Sequence, residues 1–332
     1  MKKGLIIMDK VFIDKVYPDF LMEELKEDIA FVNEPLTNEE LLSNLNVLKD
    51  VEVIFSGWGG PQFTQDILDA APNLEIVFYG AGTIKKIVTD EFWQRGIRIT
   101  TANTANGIAV AEFTLAATIF GLKNVLSMSN QINKTRAFPA PGTREITGAF
   151  RAKVGLISLG AIAKQTLKLF KNFDFEVSVY DPFTTPEEAE ELDIKLVDLE
   201  TIFKESDVVS LHTPLLEETK GMIRKNHFLS MQSNTTFINT ARGAVVNEPE
   251  MIEALQERPD ISAYLDVVYP EPPVKDSPLY EMENVLLTPH IAGSEGNEVA
   301  RMGDLMVKEF KKYLLGNKLD YEVSKSDYER MA

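Results

Sequence analysis

Short apolar runs alternate with longer amphipathic stretches along the chain. Residues 5–8, 51–56, 76–79 and 97–101 read as strands, with helical patterns such as 38–48 and 64–71 between them. This alternation predicts βαβ units on a parallel sheet, so the first hundred residues read as a small doubly wound domain. A long helical stretch runs from about 108 to 130. It leads into Phe138-Pro139-Ala140-Pro141-Gly142, which cannot stay helical. A second βα series starts at Lys153, with strands expected at 154–158, 176–180, 208–211, 235–239, 261–265 and 285–287. Residues 298–315 are apolar at helical spacing. No internal repeat is visible.

A length of 332 residues exceeds one simple core and favours two domains. Hydrophobic residues make up 44 %, as in globular proteins, so the strands can be buried. The formal net charge of -17 opposes binding to nucleic acid and to anionic membranes. No cysteine is present, so disulfides, thiolate nucleophiles and Cys-based metal sites are excluded, and no metal site is expected. The run at 5–8 is too short for a signal-peptide core, and no stretch approaches the roughly 20 apolar residues that span a bilayer. The expectation is a soluble cytoplasmic protein.

The chemistry begins at Val154-Gly155-Leu156-Ile157-Ser158-Leu159-Gly160-Ala161-Ile162-Ala163. A strand ends near Ser158 and a helix starts near Ala161, the context of a dinucleotide fingerprint. Gly160 would let a pyrophosphate approach the backbone, and Ala163 is small enough for helix–strand packing. Ser158 stands where the fingerprint has its turn glycine. The N–H groups of Ala161 and Ile162 would face the pyrophosphate. An ordinary strand-to-helix turn would give the same pattern. The next strand ends in Asp181, about 20 residues after Gly160. A carboxylate there would bond both adenosine ribose hydroxyls and repel a 2′-phosphate, which favours NAD over NADP.

Three further residues sit at expected strand ends. Arg242 precedes Gly243, and a guanidinium there can grip a carboxylate through paired hydrogen bonds. His290, in Thr288-Pro289-His290-Ile291, could exchange a proton with a carbonyl oxygen. Glu271, between Pro270 and Pro272, could hold the imidazole proton and fix its tautomer. Taken singly, each has a plain structural explanation: a surface ion pair, a core histidine, a solvated loop glutamate.

Together with Tyr180-Asp181-Pro182, Leu211-His212-Thr213-Pro214-Leu215 and Leu265-Asp266-Val267, these stretches make the chain resemble the D-isomer-specific 2-hydroxyacid dehydrogenases over nearly its whole length. The resemblance implies an α/β fold of two Rossmann-like, doubly wound domains with a cleft between them. It implies a substrate-binding domain of residues 1–105 plus about 295–332 and an NAD-binding domain of residues 106–294. Arg242 would bind the substrate carboxylate, His290 would act as acid and base, and Glu271 would support it. Thr213 and Pro214 would line the cofactor groove, and Thr240, Ala241 and Asp266 would approach the nicotinamide. The loop 79–87 would offer backbone N–H groups of Gly80, Ala81 and Gly82 to the substrate. Lys85-Lys86 stands where the family often has Asp-Asn, which leaves the identity of the 2-hydroxy or 2-keto acid open. The expected reaction is NAD-dependent hydride transfer by a homodimer. An NAD-sensing binding protein on the same scaffold is the alternative, and a formate dehydrogenase is disfavoured because Glu271 is not glutamine.

Overall fold

A computed structural model describes residues 1–143 and 145–330. The chain divides into two compact units, Met1–Asn106 with Ser294–Ala332, and Gly107–Gly293.

The first unit carries β1 (Lys2–Ile7), β2 (Ile29–Phe31), β3 (Val53–Ser56), β4 (Ile76–Tyr79) and β5 (Arg98–Thr101). They form one parallel sheet in the order β2-β1-β3-β4-β5. Every residue of β3 and β4 is buried, as continuous apolar runs require when helices cover both faces. Phe55 of β3 and Phe78 of β4 stack at 5.1 Å, and Phe310 meets both edge-on. Phe310 lies on the helix Val299–Leu314, which packs against the helix Lys10–Val16 of the same unit. Gly303 makes that approach possible, because a Cβ there would fall 1.7 Å from the Val16 carbonyl oxygen.

The second unit carries β6 (Lys153–Ile157), β7 (Glu176–Tyr180), β8 (Lys195–Leu196), β9 (Val208–Leu211), β10 (Thr236–Asn239), β11 (Ser262–Leu265) and β12 (Val285–Leu287). Its parallel sheet runs β12-β11-β10-β9-β6-β7-β8. The strand order reverses between β6 and β9. In open α/β sheets, ligands bind outside the carboxyl ends of the strands at such a reversal.

The α/β class and the parallel sheets agree with the sequence pattern. β2 and β8 were not expected: with three and two residues, they are too short to show a period. The stretch expected to be helical over 108–130 is two helices, Asn103–Leu122 and Val125–Thr135, broken where Asn124 takes a left-handed conformation. The expectation that no stretch could span a bilayer needs correction. Among the described residues Asn103–Leu122 is long and apolar enough by length and composition, yet half of its most apolar window is buried inside the protein. Small and hydroxylic residues explain its place in a core. Thr114 and Thr118 are fully buried, and a Cβ at Gly121 would come within 2.8 Å of Thr236.

Candidate active site

At the β6–β9 reversal, Ser158 takes φ 73°, the left-handed conformation that the fingerprint's turn glycine adopts freely. A side chain there costs about 1 kcal/mol. Ser158 Oγ lies 2.9 Å from Thr213 Oγ1, so two expected cofactor residues meet across the reversal. Gly160 caps the helix Ala161–Phe170, whose N-terminus carries no side-chain cap and no acidic residue in its first turn. The first N–H groups of that helix, including those of Ala161 and Ile162, have no partner within the helix. A Cβ on Gly160 would meet nothing within 4 Å, and its φ of -73° suits any residue. Neither conformation nor internal packing therefore demands glycine at this position. The open space and the uncapped helix start fit a pyrophosphate.

Asp181 is more heavily committed than expected. Its Oδ1 accepts from the N–H of Phe183 (2.8 Å), the N–H of Thr184 (3.0 Å) and the Thr184 hydroxyl (3.2 Å). Its Oδ2 accepts from the N–H of Leu159 at 2.8 Å, which ties it to the fingerprint turn. An ionised carboxylate offers about four lone-pair sites. Room remains at Oδ2 for one ribose hydroxyl, where both had been expected on Asp181.

Arg242, Glu271 and His290 follow the C-terminal ends of the neighbouring strands β10, β11 and β12. The imidazole Nδ1 of His290 lies 2.6 Å from Glu271 Oε1. Both side chains are about half exposed. Glu271 sits between two cis prolyl bonds, Tyr269–Pro270 and Glu271–Pro272. Arg242 is half-buried. Burial pushes its pKa below the usual value, and the charge of Glu271 pushes it back up. One of its nitrogens, Nη1, donates to the Ala241 carbonyl at 2.6 Å.

Three residues that position these groups were not identified as such from the sequence. Asn239, 1 % exposed, accepts from the Ala241 N–H through Oδ1 and donates through Nδ2 to the Arg242 carbonyl, closing the turn that presents Arg242. Glu248 accepts from the Tyr269 N–H at 2.8 Å, two residues before Glu271. Its carboxyl pKa is raised by burial. Asp266 was expected only as a nicotinamide neighbour. Its carboxylate is 3 % exposed and accepts from the Thr288 hydroxyl (2.6 Å) and the N–H groups of Ile291 (2.8 Å) and Ala292 (2.9 Å). Its carbonyl accepts from the His290 N–H. Asp266 thus organises the turn in which His290 takes φ 57°. A polar residue at the end of an apolar strand marks both Asn239 and Asp266, but the partners of Asp266 lie more than twenty residues on, and Glu248, the first residue of the helix Glu248–Glu257, carries no such signal. Thr240 is buried, with its hydroxyl 3.5 Å from that of Thr114, and Thr213 is buried beside Pro214.

In the first unit, the loop after β4 holds Gly80, Ala81 and Gly82. The Gly80 N–H is already given to the Ser56 carbonyl at 2.7 Å, which corrects the expectation that it faces a ligand. Among the described residues, the N–H groups of Ala81 and Gly82 have no such partner. Thr101 Oγ1 reaches the carbonyls of both residues, at 2.9 and 2.5 Å. A Cβ on Gly82 would lie 3.7 Å from Asn103 Oδ1 and 3.9 Å from Asn106 Nδ2.

The NAD binding domain of the D-isomer specific 2-hydroxyacid dehydrogenases matches residues 115–292. The chain is 31 % identical over 246 residues to a D-3-phosphoglycerate dehydrogenase of Archaeoglobus fulgidus, covering 74 % of this chain and 46 % of the relative. It spans about half the length of that protein and of a second archaeal phosphoglycerate dehydrogenase. It is 30 % identical over 318 residues to a glyoxylate reductase of Thermofilum pendens, covering 92 % of each. The NAD-complexed D-isomer specific 2-hydroxyacid dehydrogenase of Lactobacillus delbrueckii ssp. bulgaricus shares the fold, with a TM-score of 0.80 at 21 % identity over 97 % of this chain and 100 % of that one.

Proposed function

The chain belongs to the D-isomer-specific 2-hydroxyacid dehydrogenase family, and from that premise we propose that it interconverts a small D-2-hydroxy acid and its 2-keto acid with NAD. The observation that carries this reading is the 2.6 Å pair of His290 and Glu271 at strand ends next to the one that presents Arg242.

The imidazole Nδ1 donates to Glu271, so Nε2 is the ring atom left to exchange a proton with the substrate oxygen. In reduction, Nε2 gives that proton to the carbonyl oxygen, and in oxidation it takes it from the alcohol. Bound at the fingerprint turn, the nicotinamide cofactor supplies or takes the hydride. Arg242 binds the substrate carboxylate. Partial withdrawal from water strengthens that ion pair, because less solvent competes for the guanidinium. Ala81 and Gly82 offer two further N–H groups. Asp181, with one free position on its carboxylate, favours a ribose with a free 2′-hydroxyl and repels a 2′-phosphate.

A homodimer is part of this proposal. The helix Val125–Thr135 has no fully buried residue, although Val125, Leu126, Met128 and Ile132 give it an apolar side. Around it in the chain, Phe120, Phe138, Ile146 and Phe150 are exposed, Phe138 at 80 % and Phe150 at 78 %. So many large apolar side chains in one stretch of a single unit suit the same stretch of a second copy.

The test is NADH and NADPH consumption with a panel of about ten 2-keto acids. NADH should be preferred, and His290→Ala should lower kcat by about 10²–10⁴-fold while NADH binding, followed by its fluorescence, is unchanged. Faster turnover with NADPH would overturn the cofactor assignment. A His290→Ala enzyme with undiminished kcat would overturn the mechanism.

A further inference from the structure

The residues 319–330 close over the first unit in a sequence of contacts that ends on the loop 79–87. Glu309, fully buried on the helix Val299–Leu314, accepts from the N–H groups of Asp320 (2.8 Å) and Tyr321 (3.0 Å) and so fixes the turn after that helix. The chain then pairs with β5. Thr101 N–H donates to the Tyr321 carbonyl and Val323 N–H to the Ile99 carbonyl, an antiparallel bridge joins Thr100 to Glu322, and Arg98 grips Glu322 through two hydrogen bonds of 2.8 and 2.7 Å. This covers the sheet edge that β5 would otherwise leave open.

Beyond the bridge, Tyr328 packs edge-on against Trp93 at 5.8 Å, and the Lys85 ammonium lies over its ring at 4.5 Å from the centroid. Val323 and Tyr328 join the same apolar cluster as Ala81, Ile84 and Ile87 of the loop. Thr101 holds both partners at once. Its N–H serves Tyr321, while its hydroxyl serves Ala81 and Gly82.

We propose that residues 319–330 are a strap that sets the conformation of the loop 79–87, with Lys85 and Tyr328 as its clasp and Tyr328 as a positioning residue for substrate binding. The substrate part rests on the reading of Ala81 and Gly82 as N–H donors to the substrate carboxylate. The clasp also gives the unusual Lys85 a use other than anion binding. Its ammonium rests on the Tyr328 ring.

The experiment uses the full chain with Tyr328→Ala, Tyr328→Phe and Lys85→Met, the last of which removes the charge and keeps an apolar stem. Two readouts are taken: amide hydrogen exchange in the peptide spanning 80–88, and KM, kcat and NADH affinity with the best 2-keto acid. Tyr328→Ala should speed exchange in that peptide about 10-fold. It should raise KM about 5- to 10-fold with kcat and NADH affinity nearly unchanged. Lys85→Met should act in the same direction, and Tyr328→Phe, which keeps the ring, should match the wild type. Unchanged exchange in both Tyr328→Ala and Lys85→Met would overturn the strap. Faster exchange with unchanged KM would support the strap and sink the reading of the loop as a substrate cradle.

Discussion

At the scale of single residues, the histidines divide into different roles. His290 is half exposed and paired with Glu271. His212, at the β6–β9 reversal, has Nε2 3.1 Å from the Ser210 hydroxyl and a buried Nδ1 without a partner among the described residues. Burial pushes its pKa down to about 4 from the ordinary 6.5. Between those values the unfolded chain binds a proton that the folded protein does not, so stability falls as pH drops through that window. One pKa unit is worth about 1.4 kcal/mol, so His212 should withdraw about 2 kcal/mol of stability between pH 7 and pH 5. Urea unfolding at the two pH values should show that His212→Gln loses less stability on acidification than the wild type. An equal loss in both proteins would exclude His212 as the source.

At the scale of elements, the site is a set of turns following strand ends, each closed by a polar side chain. Asn239 closes the turn after β10, and Asp266, just past β11, organises the turn after β12. Gly243 is where two of these turns touch, because a Cβ there would lie 2.0 Å from the Val268 carbonyl carbon and oxygen. Backbone cannot yield as a flexible side chain does. Gly243→Ala should therefore destabilise the protein by about 2–3 kcal/mol, and it should raise KM for the keto acid because Arg242 is the preceding residue. Urea unfolding and steady-state kinetics read the two effects separately. A variant with wild-type stability would show that the turns are less tightly joined than this contact indicates.

At the scale of the whole molecule, the proposed pairing of two copies can be read directly. Sedimentation of the wild type should give twice the 37.2 kDa of one chain. The double substitution Phe138→Asp and Phe150→Asp should shift it to the single-chain mass, since placing four carboxylates in a shared apolar face costs far more than it returns. A wild type that sediments as one chain at micromolar concentration would end the dimer proposal. The charge of -17 bears on this scale too, because it sets a repulsion that an apolar contact must exceed.

The feature most legible in the sequence was the kind of fold. Apolar runs separated by helical spacing specify parallel sheets locally, and motif order identified the family before any geometry was known. Arg242, Glu271 and His290 stood out because glycine and proline mark strand-end turns in the sequence itself. The tertiary structure decided what each polar atom does. It gave the Gly80 N–H to Ser56, Asp181 Oδ1 to Phe183 and Thr184, Asp266 to the His290 turn, and Lys85 to Tyr328. Except at Asp181, the partners in these contacts lie more than twenty residues apart in the chain. Periodicity is a property of neighbours a few positions away, whereas a hydrogen-bond partner is whatever the fold brings within 3 Å. Lys85 therefore read as a departure of unknown meaning until the structure placed Tyr328 beneath it.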